Sequence, residues 1–135
     1  MREERIEIRL QKGRIEELTA DERRGMDVAL AAAEKAYAPY SGFHVGAAAE
    51  LVDGTLVSGS NQENAAYPSG LCAERTALFT AGAQHPDVAV RALYVVAMKD
   101  GVVQDKISPC GGCRQVISEV EHRYGQSIRI YLCGR

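Results

Sequence analysis

No strong charge of either sign marks this sequence. Sixteen Lys and Arg stand against eighteen Asp and Glu, giving a formal net charge of -2 and a pI near 5.9. The basic footprint of a nucleic-acid binder is missing, although charge can still be unevenly placed. No apolar run approaches the roughly 20 residues that a membrane helix needs. The N-terminus, MREERIEIRLQKGR, is charged and lacks the apolar core of a signal peptide. There is no internal repeat, low-complexity tract or linker. These absences point to a single cytoplasmic domain with no nucleic-acid or membrane partner, and 135 residues suffice for one hydrophobic core.

Apolar residues make up 46% and charged residues 25%, ordinary values for a globular protein. Four cysteines are present. A reducing compartment argues against pairing them as disulfides, and their spacing favours metal binding or catalysis.

Residues 5–10, RIEIRL, alternate polar and apolar and predict a short amphipathic strand with Ile6, Ile8 and Leu10 on one face. This extension, residues 1–18, either pairs with a sheet edge or is loose. Thr19 and Glu22 have capping-box spacing, and the alanine-rich run after them predicts a helix to about Ala36, ended by Pro39. HVGAAAELV and TLVSGSN flank Asp53-Gly54, a two-residue hairpin signal. Cys72 to about Ala81 reads as a second helix stopped near Gly82. VRALYVVAM is a strand buried on both faces. Pro109 opens a third helix that runs to about His122 and ends at Gly125, and SIRIYLC is the last strand. The final strand, helix and strand form a parallel unit with a right-handed crossover, so helices cover both faces of a sheet. Ligands of such sheets lie where helices begin, and both cysteine clusters fall at helix beginnings.

Cys110 and Cys113 are placed on the first turn of their helix, a spacing that puts them on one face. Cys72 opens the other helix. Three thiolates converging there suit zinc and leave one tetrahedral position open, as in catalytic rather than structural sites. Cys133 as a fourth ligand is the structural alternative. It lies near the end of a strand, away from the helix starts. Zinc with three thiolates carries a net charge of -1, which weakens its activation of water. Helix N-termini offset part of this, and Arg75 is the candidate for a further donor to the sulfurs. Arg114 reads as solvated surface. Glu74 follows Cys72 by two residues. On its own it would be a first-turn glutamate stabilising the helix dipole by about 0.3–1 kcal/mol. Beside Cys72, and with Pro109-Cys110-x-x-Cys113 downstream, it reads as a proton carrier.

CAER together with PCGGC resembles the cytidine deaminase family in its three-cysteine form. The likeness runs from about residue 25 to 133, through YAPYSGFHVGAAAELVDGTLVSGSNQENAAYPSGLCAERTALF and ISPCGGCRQVISEV. It implies a three-layer α/β/α sandwich with a mixed central sheet, and a catalytic domain over residues 19–135 without the family's C-terminal tail. It implies Zn2+ on Cys72, Cys110 and Cys113, with Glu74 catalytic. The implied reaction is hydrolytic deamination of cytidine and deoxycytidine to uridine and deoxyuridine, a step of pyrimidine salvage. By the same resemblance Phe43 packs on the base and Ala73 contacts it through its backbone. Asn61 and Glu63 bind a ribose hydroxyl, Ala65 and Tyr67 line the substrate site, and the protein is a homotetramer. Without the cysteines, Asn61 and Glu63 would read as polar loop residues and Phe43 as core. Two other readings stand beside this one. One is a related zinc deaminase acting on another aminopyrimidine, such as an antibiotic nucleoside, a deoxycytidine phosphate or a base in a nucleic acid. The other is a non-enzymatic zinc module closed by Cys133.

Overall fold

The computed structural model describes residues 1–134; Arg135 lies outside the described residues. Among the described residues, three helices and five strands follow in the order α1 (Ala20–Ala33), β1 (Phe43–Leu51), β2 (Leu56–Ser60), α2 (Ala73–Gln84), β3 (Val90–Lys99), β4 (Val102–Val103), α3 (Gly111–Tyr124) and β5 (Arg129–Cys133). Short 3-10 turns lie at Ile15–Glu17 and Tyr67–Ser69. β1 runs antiparallel to both β2 and β3, while β5 lies parallel to β3 across the α3 connection. β4 extends the same edge of β3 as a two-residue antiparallel pair. The sheet is therefore mixed, and the parallel unit stands where the sequence places it.

Alternation along the strands splits the core in two. Ala47, Ala49, Leu51, Leu93 and Val95 face α2 and α3, packing with Ala77, Leu78 and Ile117. Ala48, Ala92, Tyr94 and Val96 face α1, with Met26 and Ala29. This is the three-layer α/β/α sandwich. Alanine dominates the strand faces and brings the helices close. At two points even alanine would not fit. A Cβ on Gly46 would meet Ala29 O of α1 at 1.9 Å, and one on Gly59 would meet Ala77 N of α2 at 2.4 Å.

Thr19 caps α1 as its spacing predicts. Its Oγ1 accepts from Glu22 N at 3.2 Å, and Glu22 Oε2 accepts from Thr19 N at 2.8 Å. The helix ends at Ala33, short of Ala36 and well before Pro39. Tyr37 is the reason: its N–H donates to Asn61 O and its carbonyl accepts from Glu63 N, which is extended pairing incompatible with helix. Gly82 does not stop α2, which runs on to Gln84; one interior glycine costs only about 1 kcal/mol. The hairpin turn is longer than two residues, because Leu51 N donates to Thr55 O and encloses Val52, Asp53 and Gly54, with Gly54 at φ +90°. The strand expected over residues 5–10 does not form. Ile6, Ile8 and Leu10 are exposed with no neighbouring strand among the described residues, and a strand alone gains too little to order its backbone.

Candidate active site

β2 and β3 point the same way, so the helices that follow them, α2 and α3, begin at one end of the sheet. Cys72 is the N-cap of α2 and Cys110 the N-cap of α3, one position earlier than its placement on the first turn. Cys113 lies one turn into α3 and is completely buried. The sulfurs of Cys72, Cys110 and Cys113 lie within 4.8 Å of one another, and those of Cys72 and Cys110 are 3.7 Å apart. Two thiolates on one tetrahedral zinc, each at about 2.3 Å, stand roughly 3.8 Å from each other, so the donor set and its spacing fit zinc.

Helix starts and cations prepare these sulfurs for negative charge. Cys110 Sγ accepts from Cys113 N at 3.4 Å, and that N–H pulls the Cys110 thiol below its ordinary range. Arg75 Nη2 donates to Cys72 Sγ at 3.5 Å, and this contact holds its guanidinium charged more firmly than usual. Burial pushes the Cys113 thiol strongly up. A bound cation reverses that balance, because a coordinating thiol is deprotonated outright. Buried Pro109 offers its carbonyl to Arg114 Nε at 2.9 Å, so Arg114 braces the turn before α3 instead of being merely solvated. Cys133 is not in the cluster. It belongs to the α1 side of the sheet, packed against the Met26 and Tyr94 core.

Glu74, in the first turn of α2, is 5% exposed beside the Cys113 thiol. Burial raises its proton affinity above the ordinary carboxylate range. A buried acid next to three convergent sulfurs can carry a proton to and from whatever reacts there.

A second lattice joins the start of β1 to the segment after β2. Asn61 Oδ1 accepts from Val45 N at 2.8 Å, and its Nδ2 donates to Phe43 O at 2.9 Å. Glu63 Oε1 accepts from Tyr40 N at 3.0 Å and Ser41 N at 3.1 Å, while Oε2 accepts from Ser41 Oγ at 2.7 Å. Gln62 pairs with Leu71, the residue before Cys72, through two backbone bonds of 2.9 Å. The lattice thus ends directly at the first ligand.

The family model for the cytidine and deoxycytidylate deaminase zinc-binding region matches residues 19–124. This chain belongs to that family. A cytidine deaminase of Sporosarcina psychrophila is 52% identical over 88 residues, covering 65% of this chain and 61% of that protein. The chain therefore aligns with about three fifths of that curated relative's length. A crystal structure of cytidine deaminase from Mycobacterium tuberculosis superposes with TM-score 0.68 at 37% identity, covering 83% of this chain and 85% of that one. One from Burkholderia pseudomallei gives TM-score 0.61 at 47% identity, covering 74% and 75%.

In this deaminase-family chain the predicted ligands, Glu74 and Arg75 come together, and Ala73 is buried between Cys72 and Glu74. Phe43 opens β1, half-buried. Asn61 and Glu63 sit on the lattice just described, each already bonded to backbone, so their loop-forming role is real whatever else they bind. Ala65 and Tyr67 lie on an exposed stretch, Tyr67 at 91%. Sequence reasoning missed Ser41, which touches Glu63 twice, and Thr76, whose Oγ1 donates to the Cys72 carbonyl at 3.1 Å. The turn composition Pro39-Tyr40-Ser41-Gly42 was the available signal for Ser41, and a hydroxyl four residues into a helix was that for Thr76.

Proposed function

We propose that the protein hydrolytically deaminates cytidine and deoxycytidine to uridine and deoxyuridine, releasing ammonia in pyrimidine salvage. Residues 19–135 form its catalytic domain, and it works in the cytoplasm as a homotetramer, with Tyr67 at the site of a neighbouring subunit. One observation carries the reading: three sulfurs within 4.8 Å beside a carboxyl that is 5% exposed.

Cys72, Cys110 and Cys113 would hold zinc, which would supply Lewis-acid activation of the attacking water. Glu74 takes one proton from the attacking water and delivers it to N3 of the pyrimidine; it then takes the proton of the new C4 hydroxyl and gives it to the C4 amine, which leaves as ammonia as the C4 carbonyl forms. Its raised proton affinity suits a group that must hold a proton between these two acts. Arg75 offsets the charge of the thiolates through Cys72. Phe43 packs against the base and the Ala73 backbone contacts it. Asn61 and Glu63 accept a sugar hydroxyl with the capacity left over from the lattice, and Ala65 lines the same pocket.

Glu74→Gln tests the assignment. It should retain stoichiometric zinc and the fold while turnover of cytidine falls by about 10²–10⁴-fold. Near-normal turnover would refute Glu74 as proton carrier. The family description also spans deoxycytidylate, so a phosphorylated substrate is the second reading. The ionised Glu63 argues against it, because hydrogen bonds from Ser41 hold that carboxyl below its ordinary range. Preference for the monophosphate over cytidine in a substrate panel would overturn the choice.

A further inference from the structure

We infer that Ser41 is a positioning residue that fixes the Glu63 carboxylate as an acceptor for a sugar hydroxyl and so selects an unphosphorylated nucleoside. The inference rests on the nucleoside reading of the site given above.

An ionised carboxylate has about four lone-pair directions and no proton to donate. In Glu63 three are filled. The N–H groups of Tyr40 and Ser41 occupy Oε1, and the Ser41 hydroxyl occupies one direction of Oε2 at 2.7 Å. The Ser41 oxygen in turn accepts from Phe43 N at 3.0 Å. A hydroxyl has one proton. With its oxygen fixed by Phe43 N–H, that proton is committed to Glu63. The bond is of the short charge-assisted kind, and it fixes the rotation of the carboxyl as well as its ionisation.

One acceptor direction on Oε2 is what remains. Only a donor can use it. A sugar hydroxyl is such a donor, whereas a phosphate dianion brings further negative charge and no proton at neutral pH. The same serine anchors the residue that begins β1, Phe43, whose carbonyl also takes the Asn61 amide. Ser41 therefore ties the position of the base-facing aromatic to the direction of the sugar-facing acid. Ser41 lies outside the sulfur cluster and acts through Glu63.

The test measures kcat and KM of the zinc-loaded protein and its Ser41→Ala and Ser41→Thr variants. Substrates are cytidine, its 2'-, 3'- and 5'-deoxy analogues and cytidine monophosphate. Ser41→Ala should raise KM for cytidine about tenfold with kcat within about twofold, as for loss of one hydrogen bond to a charged group. The penalty should vanish for the one analogue that lacks the hydroxyl accepted by Glu63. Discrimination against the monophosphate should fall about tenfold. Ser41→Thr, which keeps the hydroxyl, should restore KM. Calorimetric binding of the product uridine should follow the same pattern. An equal penalty on every analogue, or a loss confined to kcat, overturns the role of Ser41. If Ser41→Ala fails to fold, Ser41→Cys keeps the volume, weakens the donor and carries the same expectation. Failure of the unsubstituted protein to turn over any cytidine analogue would defeat the nucleoside reading itself, an outcome distinct from equal penalties.

Discussion

Gly59→Ala is a one-carbon perturbation at a distance from the chemistry, and its consequence can be worked out from the packing. Gly59 lies in β2 opposite Ala47, under the first turns of α2. A Cβ there would sit 2.4 Å from Ala77 N and 2.9 Å from Ala73 O. These are backbone atoms of a helix, with no flexible side-chain end to swing aside. Carbon contacts are comfortable near 3.5 Å, so α2 must retreat by roughly 1 Å. Overpacking of this kind costs about 1–3 kcal/mol. The helix carries Cys72 at its cap and Glu74 in its first turn, so both move relative to Cys110 and Cys113, which are fixed on α3. A misplacement of about 1 Å in a reacting group costs on the order of 10²-fold in rate. Gly101→Ala is the control, since its Cβ meets nothing within 4 Å but its φ of +74° strains any side chain. Both variants should lower Tm in thermal unfolding. Only Gly59→Ala should lower kcat by about 10²-fold or reduce zinc content. If Gly59→Ala kept wild-type turnover and metal, α2 would not be resting on the glycine, and the account of how the site is held would be wrong.

Two other outcomes follow from the same coordinates. Cys133→Ser should leave zinc stoichiometry unchanged by elemental analysis, because Cys133 packs on the α1 side of the sheet; marked loss of metal would restore the structural-zinc alternative. Glu22 is held below its ordinary range, first by the Thr19 N–H and then by the Tyr131 hydroxyl at 2.8 Å. A depressed carboxylate contributes stability that is complete above its unfolded value and is lost as pH falls through the folded one. The difference in unfolding free energy between the native protein and Glu22→Gln should therefore be constant at neutral pH and shrink below about pH 4.5. A difference that is the same at pH 3 and pH 7 would refute the linkage.

Local rules carried most of the architecture. The Thr19 to Glu22 spacing, the αL glycine after α3 and the long apolar run of β3 each encode one element with little help from elsewhere. The metal cluster was legible for a related reason: its two halves are short motifs at helix starts, and a parallel crossover puts such starts at one end of a sheet. What was not legible depends on partners. Ile6, Ile8 and Leu10 alternate as a strand does, but alternation supplies no neighbour to pair with. β4 is two residues long, below any pattern. α1 stops early because Tyr37 is claimed by a segment distant in the chain, and Ser41 matters only because the fold sets Glu63 beside it. Asn61 and Glu63 stand two apart, which puts both side chains on one side of the chain, but the partners they meet there, at and just before the start of β1, are set by tertiary contacts.

The three sulfurs come from the starts of two helices, two from caps and one from the first turn of α3, with β3 between the helices in the chain. An unfolded polypeptide offers only the Cys110 and Cys113 pair, a weak chelate. Full affinity appears once β3 has joined β1 and α3 has crossed back over the sheet, which are long-range steps and slow ones. Loading of the ion is therefore expected to follow assembly of the sheet. The same joint clamps α2 to α3, so a chelator would loosen those two helix starts before it disturbed the sheet beneath them.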